Sequence, residues 1–396
     1  MRKEYTYQNK NSSRVVYESL LIALFINVPA INTIIASVIP SLSNGVMALL
    51  YLLIICLFII NYLIYYAKRI YVEKISSVII VSTIIVAYIL TCLSIGMQLS
   101  VYNLIIYIFL PLLIISKMDI DGELVIKFST LIPLIGVPFF PMVFKQSNNS
   151  ISMGLSYAFL PAVVFASSYL LVYSKENKLF TFAALIDLIY FVLIFLYGSR
   201  GVVLSGFIAV LFLWLIRKKM QYMCDKYFVI KIICISIAII IIVIYRWQII
   251  YSLYDFFYGN GITVEFFDKL IRLKKLGDID NGRNYIDTVF FNEFFKRPLL
   301  GHGIKSFEYY TGIVYPHNFI YQMLFDIGVI GSLIIMGPLC LSTVRFFKRI
   351  EEYENSTLLI TLICASVPGA LFSGDLWLNP LLWLTFSLIL RLEYRT

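Results

Sequence analysis

The chain has 396 residues, of which 60% are hydrophobic and only 14% charged, and its mean hydropathy is +0.87. Too little polar surface is present to cover a water-soluble fold of that length, which excludes a soluble globular enzyme. The net charge of +9 does not gather into a nucleic-acid platform but follows the ends of apolar runs.

The first 14 residues, MRKEYTYQNKNSSR, are basic and polar. The apolar run that follows is long and lacks a small-residue cleavage pattern, so it reads as a retained first span. Further apolar runs place spans near 16–39, 46–66, 75–95, 101–116, 124–144, 151–173, 179–197, 201–216, 228–245, 317–344, 356–373 and 376–391. The runs are continuous and lack the period-2 alternation of barrel strands, so helices are expected. The last two runs are short and interrupted by Pro368, Gly369 and Pro380, which leaves a re-entrant hairpin open there. The chain therefore divides into helices one to nine over 1–245, a large loop over 246–316, and helices ten to twelve over 317–396.

Assigning alternate connections to alternate sides collects most Lys and Arg, from Arg2 to Arg395, on one side. The short connections opposite contain just Lys145 and Arg200. By the positive-inside rule the basic side, and with it both termini, is cytoplasmic. The six cysteines fall in apolar runs or in the Arg217–Lys226 connection, a distribution that implies no disulfide scaffold.

The segment 246–316 falls outside and carries nine Lys and Arg against eight Asp and Glu. Loops of this length in a compact architecture are usually functional. Within it, Ile286, Val289, Phe290, Phe294 and Phe295 suit an amphipathic helix over 283–296, ended by Arg297-Pro298.

Both histidines lie near this segment's C-terminal end. His317 follows Pro316 where span ten begins, so the positive end of a helix lies beside its ring and disfavours imidazolium. A neutral imidazole there can take a proton from a substrate hydroxyl, and Asn318 can orient the ring or a sugar. The same position suits a capping or interfacial histidine. Arg283, after the turn Asp280-Asn281-Gly282, offers a guanidinium for bidentate phosphate binding, or a partner for Asp287 one helical turn on. Arg200 sits between Ser199 and Gly201 in a turn too short to leave the interface, either binding a ligand or snorkelling to lipid phosphate.

Asp326 and Asp187 lie inside spans, where carboxylates usually face a polar cavity or a partner; for Asp187 a structural pairing is the preferred reading. Asp326 is out of phase with His317 on the helix, so the two should not touch. The triplets Asp119-Ile120-Asp121 and Asp278-Ile279-Asp280 have a metal-binding look, but the first is on the wrong side and the second lacks a third ligand, so no metal is expected. His302 reads as a variable residue between two turn glycines. No Walker A loop, GxSxG, HExxH or zinc-spaced cysteine pair occurs.

Taken together, Ser199-Arg200-Gly201, Gly282-Arg283, the block Arg297-Pro298-Leu299-Leu300-Gly301-His302-Gly303, and Pro316-His317-Asn318 followed by Asp326-Ile327-Gly328 and Gly331 resemble the O-antigen polymerase and O-antigen ligase superfamily. The last two blocks are the most specific; Asp326 departs from the glutamate more usual at its position. The resemblance implies an all-α, GT-C-like bacterial inner-membrane protein of about twelve transmembrane helices, with its active site in a periplasmic loop.

It further implies a metal-independent, cofactor-free inverting glycosyltransferase acting on undecaprenyl-diphosphate-linked glycan as donor and acceptor. His317 would be the base, Arg200 and Arg283 would hold the diphosphate, and Asn318 and Asp326 would support them. A polymerase of repeat units fits the modest loop best, with a ligase to lipid A core as the near alternative and a lipid-linked oligosaccharide flippase as one of another class. The expected partners are the bilayer, a chain-length regulator and a flippase, and no nucleic acid.

Overall fold

The computed structural model describes residues 13–39, 43–66, 75–139, 152–175, 177–191, 194, 200–220, 245–276, 282–372 and 374–391. Among them, helices stand at eleven of the twelve predicted spans; the ninth, 228–245, lies outside the described residues. In chain order they are α1 (Ser13–Val38), α2 (Ser43–Tyr65), α3 (Ile75–Ile95), α4 (Val101–Lys117), α5 (Gly122–Leu131), α6 (Ser152–Val172), α7 (Lys178–Asp187) and α8 (Arg200–Met220). The loop contributes α9 (Arg246–Gly259), α10 (Glu265–Leu276), α11 (Arg283–Phe294) and α12 (Phe307–Thr311), followed by α13 (Phe319–Lys348), α14 (Ser356–Phe372) and α15 (Pro380–Arg391). The protein is all-helical and polytopic: five described stretches, α1, most of α2, α3, Gly122–Phe139 and α13, are long and apolar enough to cross a bilayer.

Burial is distributed as lipid, not water, demands. Helices α2 and α3 present Leu49, Leu53, Leu63, Val86, Leu90 and Leu93 outward, while α1, α4, α6, α14 and α15 bury Phe25, Ile108, Phe165, Ile360 and Trp383 among themselves. Hydroxyls tie the buried helices: Ser168 lies 2.6 Å from Thr361, and Ser366 lies 3.0 Å from Thr385. Pro111 cannot donate a helical bond, and α4 widens to π geometry over Leu104–Ile114; Ser387 of α15 donates to the Pro111 carbonyl at 2.6 Å.

At one end of the bundle the connections that the charge pattern grouped together meet around the buried Glu18. Its carboxylate accepts from Arg14 Nε (3.0 Å), Asn61 Nδ2 (3.0 Å), Tyr66 Oη (3.0 Å) and the Asp119 amide (2.6 Å). Asp119 itself pairs with Arg14 at 3.1 Å, and Asp121 caps α5 by accepting from Glu123 N at 2.9 Å. The first D-x-D triplet is thus structural. Replacing Glu18 with Gln should lower the thermal midpoint, at a cost of about 2 kcal/mol, because charge-assisted bonds become neutral ones while their buried partners stay. An unshifted midpoint in detergent would contradict that account.

Candidate functional site

The opposite end is organised by a break in α13. At Gly328 the backbone takes φ 67° and ψ −177°, so the helical ladder stops and leaves carbonyls and amides without helical partners. The loop turn Arg297–Gly303 supplies them. His302 N donates to Phe325 O and Gly303 N to Asp326 O, each at 2.8 Å, while Val329 N and Ile330 N donate to Pro298 O (2.9 Å) and Leu299 O (3.1 Å). The approach is too close for side chains. A Cβ on Gly328 would stand 2.2 Å from Leu299 O, and one on Gly301 would stand 2.5 Å from Gly328 N. This is the physical content of the glycine-bearing blocks seen in the sequence: turn and broken helix are complementary halves of one joint. Gly328→Ala should cost more than about 1 kcal/mol, seen as a lower thermal midpoint or a lost folded fraction; a variant as stable as the parent would mean that the joint is not built this way.

Asp326, 1% exposed, secures the joint. Its carboxylate accepts from Trp377 Nε1 (2.5 Å), the Lys305 amide (2.9 Å) and Ser306 Oγ (3.5 Å). One turn earlier, Gln322 donates to Asp375 Oδ1 (2.9 Å) and accepts from Leu376 N (2.7 Å), while Asp375 Oδ2 lies 3.5 Å from Lys305 Nζ. The α14–α15 connection is thereby fastened to α13 and to the loop.

Arg283 meets the same connection from the other side. It opens α11, after Gly282 at φ 77°, and its Nη2 donates to the carbonyl of Phe372 at 2.8 Å. That carbonyl belongs to the end of α14, where the last C=O groups lack helical partners and a cation is favoured. Gly201 packs on the same residue: a Cβ there would lie 3.3 Å from Phe372 Cβ and 3.1 Å from Tyr157 Oη. The first turn of α8, which begins at Arg200, therefore abuts the residue that Arg283 holds. The side chain of Arg200 lies outside the described residues.

His317 precedes the cap of α13 and adopts φ 54°, in the left-handed region. Asn318 is the cap, its Oδ1 accepting from Ile320 N at 2.9 Å. The imidazole is half-buried, with Tyr315 4.4 Å away between ring centroids. Burial pushes its pKa below the ordinary 6.5, and the charge of Arg283 pushes it the same way. His317 and Arg283 thus feel each other, and the imidazole is biased towards its neutral, proton-accepting form. Asp326 stands apart from this pair, bonded instead to Trp377, Lys305 and Ser306.

His302, expected as a variable residue between two turn glycines, has its side chain buried between them. It is 5% exposed, stacks on Phe325 with centroids 4.4 Å apart, and places Nε2 2.9 Å from Glu293 O. Gly301 makes room for the α13 backbone and Gly303 for the side chain of Thr91, and the imidazole between them is drawn into the aromatic cluster of Phe290, Phe307 and Phe325. Burial lowers its pKa as well. A histidine whose folded pKa is depressed contributes stability that is present above the unfolded value and is lost as pH falls from about 6.5 through the folded value. The thermal midpoint should therefore drop between pH 7 and pH 5, and His302→Phe should flatten that drop. A midpoint independent of pH in this range would remove the argument.

Asp187 closes α7 with its side chain buried, and its carboxyl oxygens have no hydrogen-bond partner among the described residues, so the structural pairing expected for it is not found there. The triplet at 278–280 lies outside the described residues. Sequence reasoning missed Gln322, Asp375, Lys305 and Trp377. The available signal was an acidic residue in a turn too short to leave the membrane interface, the same argument that singled out Arg200.

Residues 183–336, a span holding Arg200, Arg283, His317, Asn318 and Asp326, match a family model described as O-antigen ligase. No curated protein matches the chain.

Proposed function

We propose, for a chain whose residues 183–336 support its membership of the O-antigen polymerase and ligase superfamily, that it is a polymerase joining undecaprenyl-diphosphate-linked oligosaccharide repeat units. Family membership implies a glycosyltransferase-like enzyme of polysaccharide processing. The observation that most supports glycosyl transfer from a diphosphate carrier is the arrangement around Phe372, where the Arg283 guanidinium rests on its carbonyl and the first turn of α8 packs on its side chain; the preference for polymerase over ligase rests on the modest loop. In the same arrangement burial and, after it, the charge of Arg283 lower the pKa of His317. In this reading His317 removes the proton from an acceptor hydroxyl, and the freed oxygen attacks the anomeric carbon of the donor. The carbon–oxygen bond to the diphosphate breaks, and the leaving diphosphate carries away the electron pair. Arg283 and Arg200 neutralise that charge, as preorganised cations do at developing anions.

Asp326 and Asn318 act by holding the α13 entrance in shape. The site would face the periplasm of the inner membrane, with both termini in the cytoplasm. A chain-length regulator and a flippase are proposed companions. Purified protein in detergent should elongate lipid-linked repeats without added metal or nucleotide. Failure to elongate, with transport of the lipid-linked unit in vesicles instead, would favour a flippase. The matched family description favours a ligase as second reading. Deletion separates the two: single-repeat lipopolysaccharide indicates a lost polymerase, and polymer left on undecaprenyl diphosphate indicates a lost ligase.

A further inference from the structure

The joint at Gly328 leaves two large apolar side chains outside the protein. Leu299 and Leu300, in an irregular turn, are 59% and 76% exposed. They stand beside α13, since Leu299 O accepts from Ile330 N, and the adjoining face of that helix exposes Ile330 (45%) and Leu333 (66%). Leu341 and Val344 continue the same stripe down a helix apolar enough to cross a bilayer. The apolar surface of the turn is thus the upward continuation of a lipid-facing stripe.

Two further features fit that placement. Irregular backbone survives at membrane depth only where its polar groups are satisfied by protein. In this turn Pro298 O and Leu299 O accept, Gly301 N, His302 N and Gly303 N donate, and Pro298 has no amide hydrogen to place. Immediately before the leucines stand Lys296 and Arg297, both exposed, with Lys296 Nζ 2.7 Å from Glu293 Oε1. Cations on flexible stems next to exposed leucines are the arrangement that meets lipid phosphates while the apolar part enters the acyl region.

We infer that the turn 296–300 is an interfacial wedge seated in the phospholipid leaflet on the loop side, with Leu299 and Leu300 among acyl chains and Lys296 and Arg297 at the phosphates. The wedge fixes the depth of the whole joint, because its Pro298 and Leu299 carbonyls accept from α13 just past the break and the same turn continues into His302 and Gly303, whose amides donate to α13 just before it.

The test places the photoreactive residue p-benzoylphenylalanine at position 300 of the full chain in phospholipid nanodiscs, with position 309 as control, since Tyr309 is also exposed, at 60%, but lies on α12. Irradiation should attach phospholipid at position 300 with a yield about fivefold or more above position 309, and Lys296→Glu combined with Arg297→Glu should reduce that yield. Equal yields, no lipid adduct, or an adduct with co-purified polyprenyl carrier alone would overturn the inference. If the labelled protein does not purify folded, Leu300→Trp carries the same decision: brominated acyl chains should quench the added fluorescence, and unquenched emission would refute the wedge.

Discussion

Replacing His317 with alanine is expected to lower the rate of repeat-unit transfer by about 100-fold to 10,000-fold, the range that a positioned general base contributes. The fold should survive, because the cap of α13 is made by Asn318 and not by the imidazole. The pH profile gives the sharper reading. Only the neutral ring accepts a proton, and burial together with Arg283 holds its pKa below 6.5. The acid limb of kcat/KM should therefore lie below pH 6.5 in the parent. Removing the Arg283 charge should move what activity remains to a limb at higher pH. Initial rates on lipid-linked repeats across pH 5 to 8 would decide it. A His317→Ala enzyme within a few-fold of the parent, or an acid limb unmoved by the arginine variant, would end the general-base assignment.

The second large effect is expected at Arg283. Loss of a preorganised charge stabiliser costs on the order of 100-fold or more in rate, so Arg283→Ala should reduce kcat by at least that factor. Arg283→Lys should recover only part of it. A lysine keeps the charge but lacks the planar fork that holds a helix-end carbonyl with one arm while offering the other to phosphate. A merely structural role for the bond to Phe372 makes a different forecast: both variants would lower the thermal midpoint and leave kcat per folded molecule near the parent value. Measuring kcat and the midpoint on the same preparations separates the two, and the second pattern would sink the proposed diphosphate-binding role.

Much of the fold was legible because membrane insertion is decided by local hydrophobic length. A described helix stands at eleven of the expected spans, although those expected over 124–144 and 179–197 have α-helices only at Gly122–Leu131 and Lys178–Asp187; the loop helix expected over 283–296 runs from Arg283 to Phe294. Its stop was written in Arg297-Pro298, as the residue before proline disfavours the helical conformation. The shortness of α14 and α15 was also readable, from Pro368 and Pro380.

The site was legible as residue types and not as contacts. His317 and Arg283 stood out because an imidazole and a guanidinium are rare in so apolar a chain. Their relation to the end of α14 did not, since Phe372 acts through a carbonyl that every residue possesses. His302 was misread for a related reason. Flanking glycines signal positive φ, which suggests an exposed turn, but here Gly301 permits contact with the α13 backbone and Gly303 with the Thr91 side chain, and the imidazole between them is buried.

Composition and the lengths of apolar runs by themselves determined that this chain is helical, polytopic and loop-bearing, because the cost of placing backbone and charge in lipid is paid residue by residue. Which polar groups meet was decided only in three dimensions. Ile304 reaches Thr91 across 213 residues, Arg283 reaches Phe372 across 89, and Gln322 reaches Asp375 across 53. Those pairings join the loop and α13 to segments distant in the chain. Hydrogen bonds between distant segments carry no periodicity along the chain, so they come into being only when the helices pack.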